Sequence, residues 1–169
     1  RKKKYAIKTE PDGSGDWIIS EFEQQAGSSH SGHTPRLVEY GGGPAFLYYY
    51  YGDREESARL AVNDSPDGTE EWRIFPVAEA YVCAALKPGL AVVGDRLAVS
   101  YWFFHGSIAG QGYDLRLAVS GPGGAVDTWT VSDIHAEPDE ARMAHGRHSS
   151  LAVIGGCLLY TSPSPRDLS

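Results

Sequence analysis

The sequence predicts an all-β chain of repeated four-stranded antiparallel sheets, and three observations carry that prediction. First, Trp17, Trp72 and Trp129 lie 55 and 57 residues apart, and each closes the same strand and loop: KYAIKTEPDGSGDW from Lys4, RLAVNDSPDGTEEW from Arg59 and RLAVSGPGGAVDTW from Arg116. Second, another element recurs out of phase with these, as PRLVEYGGGPAFLYY from Pro35, PGLAVVGDRLAVSYW from Pro88 and SSLAVIGG from Ser149. Third, 20 Gly and 10 Pro beside 10 Tyr and 4 Trp are the balance of a chain with many tight turns between short strands. A repeat that cannot bury its own apolar face must stack on its neighbours, so the architecture is an array.

Alternation and turn residues place four strands in each unit. In the clearest copy they are Gly89 to Val93, Arg96 to Trp102, Asp114 to Ser120 and Thr128 to Ile134. Gly94-Asp95 joins the first two as a two-residue hairpin turn, and Gly41-Gly42 and Gly155-Gly156 take the same place in the neighbouring copies. Third strands alternate: Tyr5 and Ile7, Leu60 and Val62, Leu117 and Val119 fill one face, while Ala6, Ala61 and Ala118 sit on the other. A small residue there lets an adjacent sheet approach, which predicts that both faces are covered. Four short strands per ~55 residues is the pattern of a propeller blade, whereas an immunoglobulin-like sandwich needs roughly 100 residues and seven strands per unit. The predicted fold is therefore a partial β-propeller.

These residues resemble the sialidase-like propellers, whose loop between third and fourth strands carries an Asp-box, ideally S-x-D-x-G-x-T-W. SPDGTEEW from Ser65 keeps the Ser, the Asp and the closing Trp, but its Gly comes one place early and Glu71 replaces the Thr. EPDGSGDW around Asp12 and PGGAVDTW around Gly124 are looser. The resemblance spans residues 3 to 156. It implies that Asp12, Gly13, Trp17, Asp67, Gly68, Trp72 and Trp129 are structural, because Asp-boxes lie on the side of the disc opposite the active site.

The expected organisation is the second half of a blade over 1–29, complete blades over 30–80 and 81–141, and the start of a further blade over 142–156. Residues Cys157 to Asp167, CLLYTSPSPRD, resemble the translation of a transposon-end sequencing adapter, so 157–169 is expected to be a non-native tail. With no Met before Arg1, the chain is expected to be an internal fragment of a longer protein. Leu158 to Thr161 falls where a second strand belongs and is expected to pair with Leu151 to Ile154 by hydrophobicity. Pro163 and Pro165 should stop any strand beyond it.

A net charge of −7 without a basic stripe argues against nucleic acid and against an anionic membrane surface. No apolar run approaches the ~18 residues of a membrane span. With Cys157 in the tail, Cys83 stands alone and no intrachain disulfide is available. Cys83 has no paired His at a telling spacing, so it is not read as a nucleophile.

His30-Ser-Gly-His33 and His145-Gly-Arg-His148 are both H-x-x-H, but each supplies only two of the ligands zinc needs, so no metal site is assigned. Counting back four from the first-strand Leu gives His33, Leu86 and Arg147, which puts a basic residue at the entrance of two innermost strands. With Arg36 these are the candidate ligand-binding residues, since propellers bind around the central channel. The resemblance sharpens the choice: sialidases grip a sugar carboxylate with three arginines, through the bidentate fork that matches a carboxylate. No third arginine, and no tyrosine and glutamate pair, can be assigned here. Solvated bases that balance nearby acids are the alternative reading. Asp53, Glu55 and Glu56 could serve acid/base chemistry or hold calcium, and a solvated loop explains them equally. Tyr48 to Tyr51 read as core packing, with alternate members against neighbouring blades. Lys4, Arg59 and Arg116 recur at one strand position and are read as structural.

Two classes of function follow. One is a non-catalytic propeller module of a secreted or surface protein that binds a glycan or a protein partner. The other is part of a sialidase-like glycoside hydrolase or lyase acting on anionic glycans. No cofactor is assigned.

Overall fold

The computed structural model describes residues 2–24, 35–51, 56–77, 88–107, 110–135 and 150–161. His30, His33, Asp53, Glu55, Cys83, His145, Arg147, His148 and the segment after 161 lie outside them. The described chain is all-β, with antiparallel sheets of two to four strands. Strands β1 (Lys2–Lys8) and β2 (Trp17–Gln24) form a first ribbon. A four-stranded sheet follows in chain order, from β3 (Arg36–Tyr40), β4 (Gly43–Tyr51), β5 (Glu56–Val62) and β6 (Arg73–Val77). A second is built the same way from β7 (Gly89–Val93), β8 (Arg96–Ser107), β9 (Gly110–Ser120) and β10 (Trp129–His135). Strands β11 (Ser150–Ile154) and β12 (Cys157–Thr161) form the last ribbon, so the tail does pair with Leu151 to Ile154. Among the described residues no sheet closes on itself.

The first hairpin of each unit turns on glycine for a steric reason. Gly41 and Gly42 have φ of 64° and 88°, and Gly155 and Gly156 have 60° and 78°, the left-handed pair that a type I′ turn requires and that only glycine adopts freely. The turn fixes register in both sheets alike: Tyr40 faces Gly43 and Val93 faces Arg96.

Packing between sheets follows from alternation. On β5, Leu60 and Val62 point to the second sheet and join Leu47, Leu97, Val99 and Ala118 in one buried cluster. Ala61 points the other way and joins Phe22 and Tyr48 in a cluster shared with the first ribbon. Ala61 and Ala118 are wholly buried, as small residues at the closest approach of two sheets should be. Each buried Leu contributes roughly 1.5–3 kcal/mol by leaving water. Ala6 departs from the expected pattern and is exposed, because among the described residues no sheet lies on that side of β1.

The first strands stand side by side. Arg36 Nε donates to the carbonyl of Pro88 at 2.9 Å, which ties the start of β3 to the start of β7, and Tyr40 Oη donates to the carbonyl of Asp95 at 2.8 Å at their other ends. A Cβ placed on Gly89 would lie 2.8 Å from Leu151 Cγ, so β7 and β11 also touch.

The recurrent cation of the third strands has a structural task in both four-stranded sheets. Arg59 lies over the ring of Tyr50 at 3.5 Å, and Arg116 over Phe103 at 3.6 Å, each against an aromatic at the same place of the second strand. Arg116 also pairs with Asp133 on β10 at 2.7 Å, and Lys4 with Glu21 on β2 at 3.1 Å, the same cross-strand position. Alternate members of the tyrosine run, Tyr48 and Tyr50, pack in the cluster shared with the first ribbon.

Candidate functional site

The Trp-ended loops are the most elaborated parts of the described structure, and their geometry repeats. In the loop after β5, Gly68 N–H donates to the carbonyl of Ser65 at 3.0 Å, and after β1 Gly13 N–H donates to that of Glu10 at the same distance. Proline at the second place of each turn, Pro66 and Pro11, fixes the φ that the turn needs. The aspartate at the third place then folds back on the backbone. Asp67 Oδ1 accepts from Thr69 N–H at 3.0 Å and from the Ser65 and Thr69 hydroxyls, and Asp12 Oδ1 accepts from Ser14 N–H at 2.8 Å. A long side chain at the strand end braces the loop from within. Asn63 Nδ2 donates to the carbonyl of Glu70 at 2.7 Å, and Lys8 Nζ, at the equivalent position, to that of Gly15 at 2.8 Å.

These hydrogen bonds hold both carboxyls below the ordinary carboxylate value. For Asp67 the largest cause is the Ser65 hydroxyl, followed by Thr69; for Asp12 it is Ser14. A carboxylate with a depressed folded pKa adds stability that is fully present above its unfolded value near 3.8 and is lost as pH falls through the folded one. Asp67→Asn should therefore flatten the acid limb of a stability-versus-pH curve below about pH 4. Chemical unfolding across that range checks it, and an unchanged acid limb would count against the bracing role.

Trp72 and Trp129 each meet the sheet before their own. Trp72 stacks on Phe22 with ring centroids 4.6 Å apart, meets Tyr5 edge-on at 5.5 Å, and donates from Nε1 to Ser20 Oγ at 3.4 Å. Burial, and then the Asp67 carboxylate, push the Tyr5 hydroxyl above its usual value. Trp129 packs at the edge of the cluster between the two sheets, where its Nε1 is buried without a partner among the described residues. The cause lies in the repeat: Phe75 stands on β6 where Ser20 stands on β2, and a phenyl ring cannot accept that hydrogen bond. Among the described residues Trp17 has no such neighbour, and it is 59% exposed.

The third loop departs from the other two, since Gly124 stands where Asp12 and Asp67 stand. Its carboxylate comes instead from the first hairpin of the same sheet: Gly123 N–H donates to Asp95 Oδ2 at 2.7 Å. A groove of ≈ 620 Å³ opens here between the two sheets, lined by Glu39, Tyr40, Asp64, Arg73, Asp95 and Gly124 among others. Asp64 is paired with Arg73 at 2.7 Å and Asp95 is spent on Gly123, so these charges hold loops together.

Comparison with family models, with curated proteins and with solved structures yields no match.

Of the ligand-binding candidates, only Arg36 falls within the described residues. It sits at the first position of β3, at the end of the sheet opposite the Trp-ended loops, and its guanidinium is engaged by the carbonyls of Pro88 and Pro35. Arg36→Ala should lower stability by about 1 kcal/mol through loss of that tether. Urea unfolding checks this, and an unchanged midpoint would show the tether to be idle. His33 and Arg147 lie outside the described residues. Among the described residues no group of three or more His, Cys, Asp and Glu is placed to hold a metal ion. No helix among them is long and apolar enough to cross a membrane.

Proposed function

We propose that this chain is a section of a β-propeller serving as a ligand-binding or interaction module of a secreted or surface protein, with an anionic glycan as the ligand class. The observation that carries the reading is the division of labour between the two ends of the sheets. Asp67, Asp12 and Asp95 are all consumed in loop bracing at the Trp-ended side, and Trp72 in packing on the preceding ribbon. The opposite end, where β3, β7 and β11 begin, holds Arg36, and we propose that His33 and Arg147, which lie outside the described residues, join it there. A cationic rim on an acidic chain draws anionic sugars by local rather than net charge.

Titrating the chain with a carboxylated glycan and with its uncharged analogue tests this reading. The charged sugar should bind more tightly, and Arg147→Ala should weaken it by about 1.5–3 kcal/mol through loss of a charged hydrogen bond. Equal or absent binding of the two sugars would overturn the glycan assignment. Release of a fluorogenic leaving group from a sialoside would instead favour the glycoside hydrolase.

A further inference from the structure

Asn63 is the only asparagine of the chain, and Asn63-Asp64-Ser65 spells the acceptor sequence N-x-S of asparagine-linked glycosylation. On an open surface loop such a site would be free to react. Here the fold closes it. Asn63 follows the last residue of β5 and is 1% exposed. Both ends of its amide are engaged within the loop that it opens: Nδ2 donates to the carbonyl of Glu70 at 2.7 Å, and Oδ1 accepts from Ser65 N–H at 2.9 Å. Its backbone N–H donates to the carbonyl of Pro44 at 3.1 Å, and its own carbonyl lies so close to Gly43 that a Cβ there would collide with it. The hydroxyl that completes the acceptor sequence is taken as well, since Ser65 Oγ donates to Asp67 Oδ1 at 2.5 Å.

The repeat explains why an asparagine stands at the strand end. Lys8 at the equivalent position donates to the carbonyl of Gly15, so the loop calls for a side-chain N–H that reaches across it. Asn63 braces the loop and Ser65 holds Asp67, and the two together compose the acceptor sequence.

We propose that Asn63 accepts a glycan in the unfolded chain and refuses it in the folded one, because the nitrogen that would carry the sugar is the nitrogen that braces the loop. In the transfer Nδ2 bonds to the anomeric carbon of a lipid-diphosphate-linked sugar. The bond from that carbon to the diphosphate oxygen breaks with its electron pair staying on the diphosphate, and Nδ2 gives up one proton to a base of the transferase. The product carries a sugar ring on an atom that the folded loop leaves no room around, and a close-packed loop takes in such a ring only by opening. Glycosylation and the native loop therefore exclude each other. The attached sugar marks a chain whose Trp-ended loop never closed. That the chain meets such a transferase rests on the reading as a secreted or surface protein; the closure of the acceptor rests on the loop geometry alone.

Incubating the purified chain with a detergent-solubilised oligosaccharyltransferase and its lipid-linked donor tests the proposal, with the sugar located by peptide mass spectrometry. Asp12→Asn supplies the internal control, since it creates the same acceptor sequence with Gly13 and Ser14 in the equivalent turn, where Asp12 is exposed. The folded Asp12→Asn chain should take sugar at residue 12 and none at Asn63 over the same time. In that background Gly68→Val, which strains the turn at a φ of +69°, should speed modification of Asn63 at least about tenfold, because irreversible transfer draws on the open population. Adding Ser65→Ala should abolish it. Sugar at Asn63 of the folded chain at the rate seen at residue 12, with the urea midpoint unchanged, would overturn the proposal. So would a Gly68→Val chain that is modified at residue 12 and never at Asn63. Titration with a carboxylated glycan is a separate readout, so failure of the acceptor and failure of the ligand assignment are distinguishable.

Discussion

Replacing Gly68 by Val destabilises the protein by about 3 kcal/mol, from two causes that add. Gly68 has a φ of +69°, in the left-handed region where a β-branched residue carries about 1–2 kcal/mol of strain. A Cβ there would also lie 2.6 and 2.8 Å from Tyr5 Cδ1 and Cε1, so the ring that Trp72 meets edge-on must move, at a further cost of about 1–3 kcal/mol. Gly13 separates the two causes. It has a φ of +81° at the equivalent turn, but a Cβ there meets nothing within 4 Å. Gly13→Val should therefore show the strain alone, about 1–2 kcal/mol. Urea unfolding followed by tryptophan fluorescence measures both. Equal losses at the two sites would mean that Tyr5 does not press on the loop.

Trp72→Ala should lower stability by about 3 kcal/mol, near the lower end for truncating a large aromatic because the ring is only half buried. The loss comprises the stack on Phe22, the edge contact with Tyr5 and the hydrogen bond to Ser20. Trp17 occupies the same place in its own repeat and stands largely in water. In dilute protein Trp17→Ala should change stability by no more than about 0.5 kcal/mol. The same residue at the same repeat position thus differs several-fold in worth, according to whether a sheet precedes it. Similar losses at both positions, measured by unfolding at low protein concentration, would contradict that reading.

Much of this was legible in the sequence because the signals are local and periodic. Gly89 to Val93 is β7 to the residue, since a two-residue glycine turn ends it and period-two alternation fills it. The Trp-ended loops were equally plain, as Pro, Asp and Gly at fixed offsets specify a turn. What was not legible depends on register between segments far apart in the chain. Arg59 and Arg116 were visibly repeated, but that each lies over a second-strand aromatic follows from how β4 pairs with β5 and β8 with β9. Asp95 gave no sign of standing in for the missing loop carboxylate, because it reaches Gly123 from 28 residues upstream. The exposed Ala6 could not be foreseen from alternation, which tells which face a residue takes but not whether anything covers it. Arg36 looked free to grip a ligand, and only its contact with Pro88 shows it holding two strands together.

Trp72 and Trp129 are wedges driven against the preceding sheet, and a double-mutant cycle on Trp72 and Phe22 probes the better defined of the two contacts. Phe22 belongs to the first ribbon and is 6% exposed, and its ring stacks on that of Trp72 at an interplanar angle of 24°. Trp72→Ala and Phe22→Ala should fall short of additivity by about 1 kcal/mol, the coupling of a stacked aromatic pair. Losses that add to within about 0.3 kcal/mol would show that the two rings do not bear on each other, and the stacked array would be contradicted at its best-defined contact.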